Sequence, residues 1–203
     1  MNHYQLFING EFLESNLKKQ VVNPSNGEPV AIVNFAQKKE IELAIESARE
    51  AFDNGPWPKF SLSERKNFIL KISQGILDRA GELANIESLN TGKPIKETTF
   101  MDIPSAAETF HYFASNLERF LESETINIDT QIAKAKGNLL IEPLGVTALI
   151  VPWNYPLIIA SWKLAQSLAA GNTAILKPSS LTPLSALELA KIVAEAELPK
   201  GVV

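Results

Sequence analysis

The chain of 203 residues contains no cysteine. This absence excludes a disulfide framework and a metal site built from thiolates, and it fits a reducing compartment, so we expect a cytoplasmic protein. Blocks of like charge are absent as well, because 19 basic and 23 acidic side chains are interspersed and give a net charge of −4. Such a distribution favours neither nucleic acid nor an anionic membrane surface as a partner, and the remaining side chains predict no metal site.

Charge is nearly missing between Glu142 and Lys177, where Lys163 is the single charged side chain. The apolar pieces on either side of Pro152 are too short for a membrane span, which needs about 20 residues. The first residues show no basic segment followed by an apolar core, so no secretory signal is visible. We therefore expect the uncharged stretch to form the buried core of an α/β sheet.

The first 122 residues predict short strands followed by helices. Asn9-Gly10 is a turn pair that joins strands at residues 4–8 and 11–13. A further strand is predicted at residues 30–35, and a first helix at residues 38–52. A second helix begins at the capping box Ser61/Glu64, and a third contains Leu83 and ends at Gly92. A fourth helix is predicted at residues 104–121. The apolar residues expected on the buried faces of the first three helices are Ile41, Ala44, Ile45, Ala48, Phe52, Ile69, Ile72, Ile76, Leu77, Leu83, Ile86 and Leu89.

Two further strands are predicted at residues 126–132 and 137–142, with a polar link at residues 133–136. After them, residues 146–151 form a continuous apolar run, which is typical of a strand buried on both faces of a parallel sheet.

The remaining residues complete a β-α-β-α order. Pro156 suits the first turn of a helix, Gly171-Asn172 ends it, and residues 173–176 form the next strand, before Thr182-Pro183 caps a last helix. The loops at residues 152–154 and 177–180 both follow parallel strands, so we expect them to border one crevice in a nucleotide-binding half-domain. No G-x-G-x-x-G motif is present, so an ordinary Rossmann phosphate loop is not supported.

Four side chains near these loops suggest chemistry, and each has a plainer alternative. Asn154 can donate a hydrogen bond to a developing oxyanion, or it can cap the following helix. Lys163 can be partly buried and transfer protons, or it can reach the solvent. Lys177 can bind ribose hydroxyls or phosphate, or it can be a solvated lysine at a strand end. Trp153 is either a core residue or a wall for a flat ligand.

A set of motifs in fixed order is more specific than any single residue. The motifs are Phe7-Ile8-Asn9-Gly10-Glu11, Asn23-Pro24 with Gly27-Glu28, Asn90-Thr91-Gly92-Lys93-Pro94, Glu142-Pro143-Leu144-Gly145-Val146, Pro152-Trp153-Asn154-Tyr155-Pro156, Trp162-Lys163, Ala169-Ala170-Gly171-Asn172-Thr173, Lys177-Pro178-Ser179 and Leu198-Pro199-Lys200-Gly201-Val202-Val203. Along the whole chain, this set resembles the aldehyde dehydrogenase superfamily. The aromatic residues 110–113 weakly favour its betaine-aldehyde-like subgroup, because cation–π contacts suit a trimethylammonium aldehyde, although core packing explains them equally well.

The resemblance implies a fold and a set of site residues. The fold is α/β, the N-terminal part of an aldehyde-dehydrogenase-like fold with an incomplete Rossmann-like parallel sheet, flanking helices and an oligomerisation strand pair. Asn154 is implied as the oxyanion donor and Lys163 as part of a proton relay. The residues implied to bind the cofactor, NAD or NADP, are Ile150, Val151, Pro152, Trp153, Lys177, Pro178, Ser179 and Ser180. The implied partners are a small aldehyde and further copies of the chain, in a homodimer or homotetramer.

Ser180 departs from the family pattern, in which Lys-Pro-Ser is most often followed by glutamate. A carboxylate there binds ribose hydroxyls and repels a 2′-phosphate. Serine removes the repulsion, so we hypothesise that the protein uses both cofactors or prefers NADP.

The missing cysteine decides how the resemblance is interpreted, because the family's reaction needs a nucleophilic cysteine and a glutamate base. We expect the chain to be an N-terminal portion, inactive alone, of an enzyme that oxidises aldehydes to carboxylic acids. The expected organisation is a hairpin and helical part at residues 1–122, an oligomerisation arm at 123–142 and a truncated βαβ core at 143–203, without the catalytic domain. The alternative is a non-catalytic protein that binds cofactor or has a structural or interaction role.

Overall fold

The computed structural model describes residues 2–122, 124–130, 132 and 134–203 as a mixed α/β arrangement. The strands are β1 (Asn2–Tyr4), β2 (Leu6–Ile8), β3 (Glu11–Leu13), β4 (Leu17–Val22), β5 (Pro29–Phe35), β6 (Glu124–Asp129), β7 (Lys134–Leu139), β8 (Val146–Ile150) and β9 (Thr173–Lys177). The helices are α1 (Lys38–Asp53), α2 (Leu62–Asp78), α3 (Ala80–Thr91), α4 (Ile95–Glu97), α5 (Ile103–Ser115), α6 (Leu117–Phe120), α7 (Pro156–Ala169) and α8 (Leu184–Glu195), with a 3₁₀ turn at Trp57–Lys59 and a π-helical turn at Thr98–Asp102.

The N-terminal strands form a hairpin and a separate three-stranded sheet. Asn9 and Gly10 both have positive φ, 55° and 75°, and join β2 to β3 as predicted. The predicted strand at residues 4–8 is wrong in its extent, because the pairing changes at Gln5. Tyr4 belongs to β1, which pairs with β5 in parallel, and β4 pairs with the other edge of β5.

Some of the predicted helix faces are wrong. Ile41 and Ile45 of α1 are each 49% exposed, as is Leu77 of α2. The helix α1 buries Ala48, as predicted, together with Ala51, and it packs on β8 and β9. A narrow alanine face allows close approach to the strands, and this tertiary contact overrides the choice of face that periodicity suggested. The capping box of α2 is confirmed, since Ser61 Oγ accepts the Glu64 N–H at 3.2 Å.

The helix predicted at residues 104–121 is preceded by helical turns that begin at Ile95. The Ile103 N–H bonds to the Thr98 carbonyl, five residues back, in the π-helical turn. Pro104 follows directly and has no N–H to donate to the preceding turn. The turn interrupts the regular i→i−4 bonding directly before α5, as single π turns do. Gly92, with a φ of 79°, ends α3 as predicted.

The hairpin β6–β7 begins and ends earlier than predicted. Asp129 pairs with Lys134, so Lys134 to Lys136 are part of the strand β7 instead of the predicted link. Residues 123, 131 and 133 of this region lie outside the described residues. Ile126, Ile128 and Leu139 are each nearly half exposed.

The parallel pair β8–β9 and α7 form the centre of the region that carries the candidate site. Ile150 pairs with Lys177 at the carboxyl end of both strands. The prediction that β8 is buried on both faces is wrong, because Leu149 is buried whereas Ile150 is 62% exposed. The core below this pair is built largely from α2, α5, α7 and α8, and its largest fully buried residues include Ile72, Phe110, Leu157, Leu164, Leu168 and Leu189. Within the described ranges, no helix is long and apolar enough to cross a membrane.

Candidate functional site

The loops after β8 and β9 lie side by side, as the parallel strand order predicts. The Val151 N–H donates to the Lys177 carbonyl oxygen at 3.2 Å. One residue beyond Pro152, the Trp153 carbonyl accepts a hydrogen bond from the Thr182 hydroxyl at 3.1 Å. These two bonds fasten the loop that carries Asn154 to the loop that carries Lys177. The carboxyl edge of a parallel sheet is where open α/β folds bind ligands.

Asn154 is not a helix cap. Pro156 is the first residue of α7, and Tyr155 is its N-cap residue, without a side-chain cap bond. The Asn154 side chain is exposed and makes no hydrogen bond to any residue in the described part of the chain. Its amide is therefore available as a donor to a bound molecule.

Lys163 and Lys177 are both exposed. For Lys163, the partly buried alternative is wrong, although its neighbours Leu164 and Ala165 are fully buried. Neither ammonium forms an ion pair with a described residue. Each therefore keeps three donors available at the molecular surface.

The other residues predicted at the cofactor cleft differ in accessibility. Ile150 and Trp153 present apolar surface at the strand end, with 62% and 59% exposure, and Pro152 and Ser180 are exposed too. Val151 is 3% exposed and packs in the core, so its side chain is not part of this surface. Pro178 and Ser179 are half-buried, and the Ser179 hydroxyl accepts the Leu181 N–H at 3.2 Å. The accessible part of the site thus combines the apolar surface of Ile150 and Trp153 with the ammonium of Lys177 and the hydroxyl of Ser180.

A buried cluster of charged residues lies beneath the Asn154 loop. Lys93 donates from Nζ to Asp102 Oδ2 at 2.7 Å, and the same ammonium lies 3.4 Å from the centre of the Tyr155 ring. Asp102 and Glu87 are both completely buried. Glu87 Oε1 accepts the Leu157 N–H, in the first turn of α7, at 3.3 Å.

Glu87 has an unusual protonation equilibrium. Burial raises the pKa of Glu87 to about 7, and the nearby charge of Asp102 adds to this, while Ser185, the Leu157 N–H and Lys93 act in the opposite direction. Its Oε2 atom has no hydrogen-bond partner among the described residues, and Asp102 Oδ1 also has none there. An unpaired carboxylate oxygen in the interior disfavours the charged form, which agrees with the raised pKa.

The second loop is held by Asn90. Its Nδ2 donates to the Leu181 carbonyl oxygen at 3.1 Å, and its Oδ1 accepts the Leu184 N–H at the start of α8, also at 3.1 Å. The prediction that Thr182-Pro183 caps α8 is right about the position of the helix start and wrong about a capping bond from Thr182. The N-cap residue is Pro183, Asn90 supplies the cap from another helix, and the Thr182 hydroxyl bonds across to the first loop.

Sequence reasoning missed Glu87, Asn90 and Lys93 as parts of the site. A signal was available for two of them, because Glu87 and Asn90 follow the helical spacing of the buried Leu83. A charged or amide residue on a buried face needs a partner. The sequence pattern gives no information about which distant residues supply the partners. Among the aromatic residues of α5, Phe110 is fully buried and belongs to the core, whereas Tyr112 is 48% exposed.

Sequence comparison matches most of the chain to one protein family. A sequence profile described as "Aldehyde dehydrogenase family" matches residues 12–203. The chain is 40% identical over 199 residues to betaine aldehyde dehydrogenase of Bacillus subtilis (strain 168), covering 97% of this chain and 40% of the relative. It is 38% identical over 205 residues to cytosolic 10-formyltetrahydrofolate dehydrogenase of Xenopus tropicalis, covering 98% of this chain and 22% of that protein. The chain thus spans well under half the length of both relatives.

Solved structures agree at the level of the fold. The NAD⁺ complex of an aldehyde dehydrogenase from Bacillus cereus superposes with a TM-score of 0.93 at 37% identity, over all of this chain and 41% of that one. An NAD-dependent aldehyde dehydrogenase from Sinorhizobium meliloti gives 0.92 at 37% identity, over 99% of this chain and 40% of that one. The match confirms the predicted fold, the N-terminal part of the aldehyde dehydrogenase architecture. The chain therefore belongs to the aldehyde dehydrogenase family.

Proposed function

We propose that this chain supplies the cofactor-binding and oxyanion-donating part of an enzyme that oxidises an aldehyde to a carboxylic acid with NAD or NADP. The observation that carries the proposal is the junction of the two loops. There the side chains of Asn154 and Lys177 are exposed, next to the apolar surface of Ile150 and Trp153, and have no hydrogen-bond or ion-pair partner among the described residues. The family membership and the NAD⁺ complex of the Bacillus cereus enzyme support it.

In this proposal, Asn154 acts on the reacting aldehyde oxygen. Attack of a thiolate on an aldehyde places negative charge on that oxygen, and an amide N–H held in position stabilises the charge. The thiolate comes from outside these 203 residues, since they contain no cysteine. The exposed ammonium of Lys163 takes part in moving protons between the site and the solvent.

The residues of the two loops fit a dinucleotide. Apolar surface at Ile150 and Trp153 suits the flat rings, with Pro152 and the backbone of Val151 between them. Lys177 Nζ and the hydroxyls of Ser179 and Ser180 suit ribose oxygens, with Pro178 holding the turn. When bound, NAD(P)⁺ accepts a hydride from the substrate. Because no carboxylate is present at position 180, the site accommodates a 2′-phosphate as well as a 2′-hydroxyl.

We also propose that the hairpin β6–β7 contacts another copy of the chain in a homodimer or homotetramer. Ile126 and Ile128 of β6 and Leu139 of β7 are each nearly half exposed, and a two-stranded hairpin without further packing is at best marginally stable in water. Burial of these residues between copies removes that surface from water. Sedimentation of the full-length protein measures the state, and a monomer at micromolar concentration contradicts this proposal.

The activity is tested by NAD(P)H formation in the presence of aldehydes. The full-length protein is expected to reduce NAD⁺ or NADP⁺ only when an aldehyde is added, and the 203-residue chain alone is expected to be inactive because it has no thiolate. Cofactor binding by the full-length protein without turnover of any aldehyde supports the non-catalytic alternative instead. Turnover by the 203-residue chain alone refutes the assignment of the nucleophile to a residue outside it.

A further inference from the structure

The end of α3 and the turn that follows it contact both loops of the candidate site from below. Residues 87–94 include the motif Asn90-Thr91-Gly92-Lys93-Pro94, to which the proposed function assigns no role. Glu87 and Lys93 contact the first turn of α7, directly after Asn154. Asn90 contacts the loop that continues from Ser180. A short segment of one helix thus reaches two loops that are separated from it by more than sixty residues of sequence.

We propose that this segment positions the two loops independently: Glu87 and Lys93 set the orientation of Asn154, and Asn90 sets the position of the loop that carries Lys177 and Ser180. The proposal rests on the proposed function, because it assigns each contact to one half of that reaction. These are positioning residues, since none of them is exposed at the surface that would meet substrate or cofactor.

The contacts to the first loop are on both sides of Pro156. The Lys93 ammonium lies over the Tyr155 ring at 3.4 Å from its centre, and Asp102 at 2.7 Å holds the ammonium in place. The Lys93 side chain is only 14% exposed, and a largely desolvated cation over an aromatic face is a stronger contact than an exposed one. On the other side of the proline, Glu87 Oε1 holds the Leu157 N–H. Because Tyr155 and Leu157 are both held in place, the backbone that follows Asn154 is held as well. This restricts the orientations that the exposed Asn154 side chain can adopt.

The contacts to the second loop come from a single side chain. Asn90 is 3% exposed and uses its amide nitrogen for the Leu181 carbonyl and its amide oxygen for the Leu184 N–H. It therefore fixes the end of the loop and the start of α8 at once. No atom of Asn90 contacts Tyr155 or Leu157 through a described hydrogen bond. The two loops thus have separate supports on the same helix, and separate supports predict separable effects of mutation.

Three variants of the full-length enzyme test the proposal. Lys93→Met removes the charge over the Tyr155 ring, and we expect kcat to fall on the order of 10- to 100-fold, with the dissociation constant of NAD(P)⁺ nearly unchanged, because a small displacement of a catalytic donor is costly. Asn90→Ala removes both contacts to the second loop, and we expect the dissociation constant to rise about tenfold with kcat at saturating cofactor nearly unchanged. Glu188→Gln is the control.

Glu188 is a suitable control because it is 1% exposed, as buried as the carboxylates of the cluster, and both of its oxygens accept hydrogen bonds. Its partners are Tyr4, Arg79 and Lys191, all away from the two loops. Its substitution is expected to lower stability and leave both kinetic quantities unchanged. A general loss of stability therefore cannot imitate the separation expected for Lys93 and Asn90.

Two further measurements complete the test. Tyr155→Leu removes the ring, and combined with Lys93→Met it is expected to add almost nothing to the loss in kcat, because the two residues form one contact. Amide hydrogen exchange in residues 153–158 is expected to increase in Lys93→Met and not in Asn90→Ala.

The outcomes distinguish the proposal from the function on which it rests. A wild-type protein that never oxidises an aldehyde refutes the proposed function. An active wild type in which Lys93→Met and Asn90→Ala change kcat and the cofactor dissociation constant in the same proportion refutes the positioning proposal alone. The positioning proposal is also refuted if Lys93→Met and Asn90→Ala both behave like the control Glu188→Gln. A loss of kcat in Lys93→Met together with a loss of cofactor affinity in Asn90→Ala supports the positioning proposal.

Discussion

The Thr182 hydroxyl donates a hydrogen bond to the Trp153 carbonyl oxygen at 3.1 Å, across two loops that are 29 residues apart in sequence. Thr182 is 4% exposed, so the bond is protected from water on its donor side. Together with the bond from Val151 to Lys177, it fixes the width of the opening between the loops. These two bonds join the loops at Val151 and Trp153, ahead of Asn154, and the contacts from residues 87–93 hold each loop from below.

Replacement of Thr182 by valine tests this bond with little change in shape. We expect the free energy of unfolding to fall by about 1–2 kcal/mol, because the variant loses a hydrogen bond and leaves a carbonyl without its partner. Cofactor affinity is expected to fall severalfold as the loops separate. Thr109→Val is a matched control, since that hydroxyl bonds to Ser105 within its own helix. Equal cofactor affinity in the two variants contradicts the role of Thr182.

Asn154→Ala separates the catalytic interpretation from the structural one. Because the side chain is exposed and makes no hydrogen bond to a described residue, stability should be unchanged within about 0.5 kcal/mol. We expect kcat of the full-length enzyme to fall about 10²- to 10³-fold, as for loss of one oxyanion donor. Steady-state kinetics and urea denaturation measure the two effects. A less stable protein with normal kcat would show that Asn154 has a structural role instead.

Ser180→Glu tests the choice of cofactor. A carboxylate at this position repels a 2′-phosphate and can accept hydrogen bonds from ribose hydroxyls, so we expect affinity for NADP⁺ to fall by at least tenfold, while affinity for NAD⁺ is kept or improved. Ser63→Glu introduces the same charge at an exposed position of α2 and serves as the control. Titrations with both cofactors measure the ratio. A wild-type protein that binds NAD⁺ orders of magnitude more tightly than NADP⁺ contradicts the hypothesis on Ser180.

Glu87 makes stability depend on pH in a direction opposite to that of a salt-bridged carboxylate. The pKa of Glu87 is raised from 4.5 to about 7 in the folded protein, so between these values the folded state holds a proton that the unfolded state has released. Its contribution to the free energy of unfolding is therefore complete below about pH 4.5 and is lost as the pH rises through 7. The loss amounts to about 3 kcal/mol at most.

Glu87→Gln removes this dependence while keeping the shape and one acceptor for the Leu157 N–H. Urea denaturation of both proteins between pH 4.5 and 8 measures the difference, which isolates Glu87 from the other ionisable groups. We expect the variant to gain stability relative to wild type as the pH rises. A constant difference across this range contradicts the assignment of the raised pKa to Glu87.

The parts of the molecule that were predicted well are those that short sequence patterns determine. Asn9-Gly10 defines its own turn, Ser61 and Glu64 define a helix start, and the apolar run before Pro152 predicts a strand. The adjacency of the loops at residues 152–154 and 177–180 followed from the parallel order of two strands. Each of these needs only neighbouring residues or chain order.

The parts that were missed depend on contacts between distant residues. Periodicity placed Ile41 and Ile45 inside, but the packing of α1 on the strands uses its alanine face. Thr182 has the pattern of a cap, yet the cap of α8 comes from Asn90, more than ninety residues earlier. Glu87 gives no local indication that its partner is the first turn of α7. Long-range partners of polar groups therefore require the three-dimensional structure.

The most direct measurement is a crystal structure of the full-length protein with NADP⁺. We predict that the dinucleotide lies over Ile150 and Trp153, with Lys177 Nζ about 3 Å from a ribose hydroxyl and the Asn154 amide directed at the site of aldehyde attack. A dinucleotide bound elsewhere, with the two loops making no contact to it, contradicts the account.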